Sequence, residues 1–205
     1  MAKVALALKS NLVLVLILNQ TNMKKIILTA VAVFAFSFAN AQETKFGAKA
    51  ALNIATLTGD VGDASSLVGF QIGGFAEIKI SEKFALQPEL MYSGQGASSD
   101  VDGDLKLNYI NIPVMAKYYV AKSFSLEAGP QIGFLLSAKA EGVDVKEFFE
   151  SVDFGLNLGA GYDFTDKFSA GLRYNFGLSN VAKTESEDNT DIKNGVFSLS
   201  VGYKF

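Results

Sequence analysis

The sequence contains no cysteine and no histidine. The first absence removes disulfides, a thiol nucleophile and a lipoprotein anchor. The two together remove a Ser-His-Asp triad and the His/Cys sites that hold zinc. Proline is scarce: Pro88, Pro113 and Pro130 are the only three. All three fall inside segments that otherwise read as strands, where a residue without an N–H must open a gap in the ladder or mark a bulge. Beyond the N-terminus there is also no apolar run of about 18 residues, so no helix is long enough to cross a bilayer. Yet hydrophobic residues make up 49% of the chain and aromatics 12%. High apolar content without a long apolar run is what strict alternation produces.

The N-terminus carries the one exception to that alternation. Met23-Lys24-Lys25 is a short basic start, residues 26–38 are apolar, and Ala39-Asn40-Ala41 offers small residues at a cleavage site. Together they predict a signal peptide over 23–41 and a mature chain from Gln42. Residues 1–22 read as upstream sequence from a start codon placed too early, with an extended signal as the alternative. Lys3, Lys9, Lys24 and Lys25 leave with this segment. What remains, 42–205, has 14 basic against 21 acidic residues, a net charge of −7, which argues against nucleic acid as a partner.

From residue 45 the period is two. The alternation predicts strands over 46–56, 68–80, 84–95, 106–120, 124–139, 152–164, 168–180 and 196–205. The clearest arm carries Ile110, Ile112, Val114, Ala116, Tyr118 and Val120 on one face. Its neighbour carries Phe124, Leu126, Ala128, Pro130, Ile132, Phe134 and Leu136, with Asn111, Lys117, Glu127, Gln131 and Ser137 opposite. The connections alternate in length. Ser81-Glu82-Lys83, Ala121-Lys122-Ser123 and Thr165-Asp166-Lys167 are short, each followed by a Phe, whereas 57–67, 96–105, 140–151 and 181–195 are long and polar. Residues 143–151 are compatible with a short helix or with extension of two strands. An even strand number, short turns at one end and long loops at the other is the pattern of an all-β, eight-stranded antiparallel up-and-down transmembrane barrel with both termini on the periplasmic side. A soluble barrel would turn its apolar face inward. The Phe and Tyr residues near strand ends, the terminal strand ending in Phe205, and glycines crowding the polar face all favour the membrane form.

The short turns also set register. If 121–123 is a three-residue turn, facing residue numbers sum to 244 and Lys117 lies opposite Glu127. At 165–167 the sum is 332, placing Asn157 opposite Asn175 and Arg173 opposite Gly159. The polar face carries Lys49, Glu77, Lys79, Glu89, Lys117, Glu127, Asp153, Asp163, Arg173 and Lys204. An eight-stranded interior is just wide enough for side chains to fill it, so balanced charges there should pair. Lys49, Glu77, Lys79, Glu89, Lys117, Glu127 and Arg173 are the expected lumen network, with Glu89 and Glu127 meeting Arg173. Asp100, Asp102 and Asp104 have carboxylates two apart, as in a calcium loop. Gly103 is in the wrong place for an EF-hand, however, and Asn111 stands where its closing Glu belongs. That stretch and Glu185-Ser186-Glu187-Asp188-Asn189 read as solvated loop tips.

Tyr109-x-x-x-Pro113-x-x-x-Lys117-Tyr118, Ala128-Gly129-Pro130, Gly159-x-Gly161-Tyr162 and Arg173-Tyr174-x-x-Gly177-Leu178 resemble the small outer-membrane barrels termed porin-family or PorT-like. The resemblance implies a Gram-negative outer-membrane protein surrounded by lipid and inserted by the barrel-assembly machinery. The expectation is a monomer with a packed, salt-bridged lumen, acidic surface loops for an unnamed partner, a structural or interaction role, and neither catalysis, metal nor cofactor. The alternative is a narrow channel for small solutes.

Overall fold

The computed structural model describes residues 43–59, 65–99, 103–183 and 191–205. The expected upstream extension 1–22, signal peptide 23–41 and new N-terminus Gln42 lie outside the described residues, as do Asp100, Asp102 and the 185–189 acidic stretch. The strands are β1 (Glu43–Gly59), β2 (Ser65–Lys79), β3 (Phe84–Ser99), β4 (Gly103–Ala121), β5 (Phe124–Ala140), the two-residue β6 (Val143–Asp144), β7 (Val152–Asp163), β8 (Phe168–Gly177) and β9 (Ile192–Lys204). All but β6 form one closed antiparallel barrel. Each strand pairs with its chain neighbour, and β1 pairs with β9 from Gly47↔Lys204 to Gly59↔Ile192. Closure leaves the barrel without an edge strand.

The outward face is apolar: Phe46, Leu52, Ile54, Phe70, Ile72, Leu126, Leu156, Leu172, Leu199 and Val201 are all exposed. From Phe46 to Ile54, nine residues rising ~3.3 Å each and tilted ~40° span roughly 23 Å, the height of a barrel's lipid-facing band. Aromatic residues edge the band. At the short-turn end Phe168 and Tyr203 stack edge to face at 5.0 Å, as do Tyr162 and Phe164 at 5.1 Å. At the long-loop end Phe70 meets Tyr92 at 5.7 Å, and the Tyr92 hydroxyl donates to Asn108 Oδ1.

Two of the short turns use one device. Ser81 Oγ accepts from Phe84 N, and Thr165 Oγ1 accepts from Phe168 N. A hydroxyl at the first turn position thus replaces a ladder bond. The middle turn is tighter than expected: Ala121 pairs with Phe124, leaving only Lys122-Ser123 between strands and a register irregularity after Tyr119. The strands β3, β4 and β9 run several residues further toward the long loops than the alternation indicated, because polar residues can extend a ladder once clear of the lipid.

One further expectation needs correcting. Ser137 does not face the lumen. An irregularity between Asn108 and Tyr109 places Asn108 opposite Ser137 and Tyr109 opposite Leu135, so Leu136 is an extra residue. A bulge inverts the alternation beyond it. Ser137 therefore turns outward, where its Oγ accepts from Asn108, and Ala138 turns inward and is fully buried. The three prolines prove to be one feature. Pairing is interrupted between Pro88↔Val114 and Met91↔Asn111, and between Pro113↔Gln131 and Ala116↔Ala128, which leaves out Pro130's row. They cluster on β3, β4 and β5, beside the position of Glu89.

Candidate functional site

The lumen is filled in three tiers. Nearest the short turns lies a charge network to which every barrel strand contributes one side chain: Lys49, Glu77, Glu89, Lys117, Glu127, Asp163, Arg173 and Lys204. Four acids meet four bases. Arg173 binds Glu89 through both terminal nitrogens at 2.9 Å each and reaches Glu127 at 3.1 Å. Lys49 reaches Glu89 at 2.6 Å. Lys117 joins Glu127 at 3.4 Å to Glu77 at 3.0 Å. Lys204 joins Glu77 at 3.0 Å to Asp163 at 3.2 Å, and the Tyr119 hydroxyl also donates to Asp163. Gln87 donates to Glu89 and accepts from Lys117.

Local sequence makes this geometry available. Lys117 pairs directly with Glu127 across β4–β5, and Arg173 with Gly159 across β7–β8. Gly161 leaves room for Glu127: a Cβ there would lie 2.7 Å from its Oε1, and the carboxylate would have to shift. Phe75, Met91 and Met115 pack among the charges and are buried, with Lys49 Nζ 5.4 Å from the Phe75 ring centre. The desolvation of eight ions is costly and is offset only by close, multiple hydrogen bonds of this kind.

Six of the seven residues assigned to the network on sequence grounds, Lys49, Glu77, Glu89, Lys117, Glu127 and Arg173, are joined here. Lys79 lies one step nearer the short turns, half-buried at the mouth of a cavity of about 520 Å³. Lys45, Glu82 and Lys122 share that mouth, and its floor is the Glu77–Lys204–Asp163 cluster. Asp163 and Lys204 complete the ring, though the sequence reading stopped at placing them on the polar face. Their signal was the alternation itself, which puts Lys204 inward between Tyr203 and Phe205. Asp153 is the acid the ring leaves out. It lies toward the long loops, accepting from Ser179 Oγ at 2.7 Å and Asn194 Nδ2 at 2.8 Å.

Above the ions comes a belt of amides and hydroxyls. Gln71 Nε2 donates to Asn53 Oδ1 and Ser198 Oγ, Asn53 Nδ2 donates to Ser93 Oγ, and Asn175 Nδ2 donates to Asn157 Oδ1. The third tier is apolar, which the expectation of a polar lumen missed. Leu57, Ala97, Leu107, Tyr109, Leu135, Ala138 and Val181 form a buried cluster with Val145, Phe149 and Ile192 against it. Two long connections supply its lid. Glu150 N donates to Val181 O, Lys183 N to Phe148 O, and Val181 N to Ile192 O. Residues 143–151 take both of the forms open to them, a two-residue strand and a 3₁₀ turn at Lys146–Phe148. Within the ion tier, among Lys49, Lys117, Glu127 and Arg173, lies a void of about 20 Å³, the room of a single water.

The chain is similar in structure to neisserial surface protein A, NspA, with TM-score 0.60 and 19% identity over 80% of this chain and 100% of that one. It is similar also to Ail, the attachment invasion locus protein of Yersinia pestis, with TM-score 0.50 and 16% identity over 79% and 97%. At such identities the likeness shows the fold. No match was found among curated protein sequences. Residues 38–183, by contrast, match the model of the outer membrane protein beta-barrel domain. A closed eight-stranded barrel with an apolar exterior and that match leave one assignment: the chain belongs to the outer membrane protein beta-barrel domain family and resides in the outer membrane of a Gram-negative bacterium.

Proposed function

We propose that this barrel is sealed and non-catalytic, and that its role is carried by its outer surface as a structural or interaction protein. The observation that supports this is the void of about 20 Å³ below the amide belt and the apolar plug. An ion entering from the periplasmic cavity meets charges already neutralised by one another. Beyond them it must displace Leu107, Tyr109 and Val181 from a packed cluster. Among the described residues the buried carboxylates are likewise engaged, in ion pairs or, for Asp153, by Ser179 and Asn194, which leaves none of these placed as a general acid. Purified protein refolded into a planar bilayer should show no unitary current steps. Reproducible steps would favour the narrow-channel reading instead.

The same proposal includes a monomer that is delivered to the outer membrane by its last strand. Phe197, Leu199, Val201, Tyr203 and Phe205 alternate outward to the C-terminus, and Lys204 between them pairs with Glu77. Deleting Tyr203, Lys204 and Phe205 should leave the protein in the periplasmic fraction. Normal recovery in the outer-membrane fraction would refute that role for the strand.

A further inference from the structure

At the short-turn end the lumen opens into the cavity of about 520 Å³. Pockets for small ligands run from ~300 to ~1,000 Å³. The floor of this one is charged and held in place. Glu77 is 1% exposed and Lys204 4%, and Tyr119 is buried beside them. Asp163 is the member of the ring most open to the cavity, with 19% of its side chain exposed. Its oxygens accept from Lys204 at 3.2 Å and from Tyr119 at 3.4 Å. A carboxylate offers about four acceptor sites, so Asp163 has room for a further donor.

The two signs of charge stand on different walls. Lys45 and Lys79 line the cavity from β1 and β2, and Asp163 and Asp166 line it from β7 and the turn that follows. In the closed sheet β2 and β7 are four steps apart in either direction, so they face each other across the mouth. Glu82 and Lys122 lie on the turns of the arc between them. An ammonium carries three N–H donors, so each lysine can serve a ligand's carboxylate besides its contacts within the protein.

We propose that this cavity binds a short zwitterionic peptide from the periplasm, with its carboxylate toward Lys45 and Lys79 and its ammonium toward Asp163 and Asp166. A purely anionic ligand would meet Glu77 and Asp163 at the floor, and a purely cationic one would meet Lys204 and the lysines of β1 and β2. A free amino acid holds both charges on one residue. Three residues in extended form carry them up to about 10 Å apart, which suits a site with its signs on opposite walls. The proposal goes beyond the sealed-lumen reading and does not rest on it, since the cavity lies on the periplasmic side of the ion tier whether or not the lumen conducts.

The test is calorimetric titration of the folded protein in nanodiscs with trialanine, N-acetyl-trialanine and trialanine amide. The wild type should bind trialanine saturably, and each blocked peptide about tenfold more weakly, the worth of one charge-assisted hydrogen bond. Lys79→Gln should narrow the preference for the free carboxylate over the amide and leave the preference for the free amine. Asp166→Asn should do the reverse. Lys83→Gln with Lys167→Gln, on the same turns but outside the cavity lining, should change neither preference. Heat-modifiable gel mobility checks that each variant is folded. Free peptides and the peptide stems of the cell wall share this chemistry. Retention on isolated sacculi that trialanine competes away assigns the wall as the source, and trialanine binding without such retention assigns the free peptide. No saturable binding of trialanine, equal binding of the three peptides, or variants that weaken all three alike would overturn the proposal.

Discussion

Glu89→Gln is expected to destabilise the folded barrel by about 3–5 kcal/mol, read from urea titration in lipid vesicles. Glu89 has no exposed side-chain surface and is the acceptor for two cations at once. The amide matches its volume, so packing around Phe75, Met91 and Met115 is retained and the effect is electrostatic. Gln offers Arg173 a single neutral oxygen in place of two charged ones and leaves Lys49 facing an amide nitrogen. Glu127 can compensate for only part of this, being already shared between Arg173 and Lys117. Adding Lys49→Gln should recover part of the loss, because one stranded ion is then removed, and the non-additivity measures the coupling. A loss below about 1 kcal/mol would mean that the ions sit in water, as at an exposed site, and the lumen could not then be called filled at this level.

The barrel's outline was legible because alternation and turn chemistry are local. The sum of 332 set by the 165–167 turn holds from Asp163↔Ser169 to Gly155↔Gly177 without a break. The sum of 244 places Lys117 opposite Glu127 even though the turn itself closes one residue tighter. What failed to read was whatever breaks parity or crosses the lumen. Nothing in the residues 134–140 announces that Leu136 is the bulge, yet that one extra residue decides whether Ser137 or Ala138 faces inward. The apolar plug was hidden for a related reason. Leu107, Tyr109 and Leu135 lie on the same parity as Asn111 and Glu127, and alternation alone does not separate an apolar tier from a polar one on the same face. Contacts such as Lys204 to Glu77 join strands that are not neighbours in the sheet, and register along one hairpin carries no information about them. The prolines show the same limit. Each was visible as a break in its own strand, but their alignment across β3, β4 and β5 exists only once the three strands are in register.

Leu172→Arg should destabilise the barrel by about 2–4 kcal/mol in the same vesicle titration, while Val68→Arg should cost only about 0–1 kcal/mol. Leu172 points outward midway between Phe168 and Phe176 on β8, so a guanidinium there is held in the middle of the hydrocarbon. Val68 also points outward, but near the outer end of β2, where a long side chain reaches the headgroups. The contrast is sharpened by the next residue. Arg173 carries the same guanidinium one position along the strand, where the pleat turns it into the lumen and onto Glu89 and Glu127. Side-chain period fixes the difference between the two sites, since a shift of one residue exchanges lipid for lumen. The cost at 172 is therefore a measure of which face of β8 meets lipid, independent of how the lumen ions behave. Equal losses at Leu172 and Val68 would mean that depth in the membrane is not what the two positions differ in, and a negligible loss at Leu172 would place that face of the strand in water.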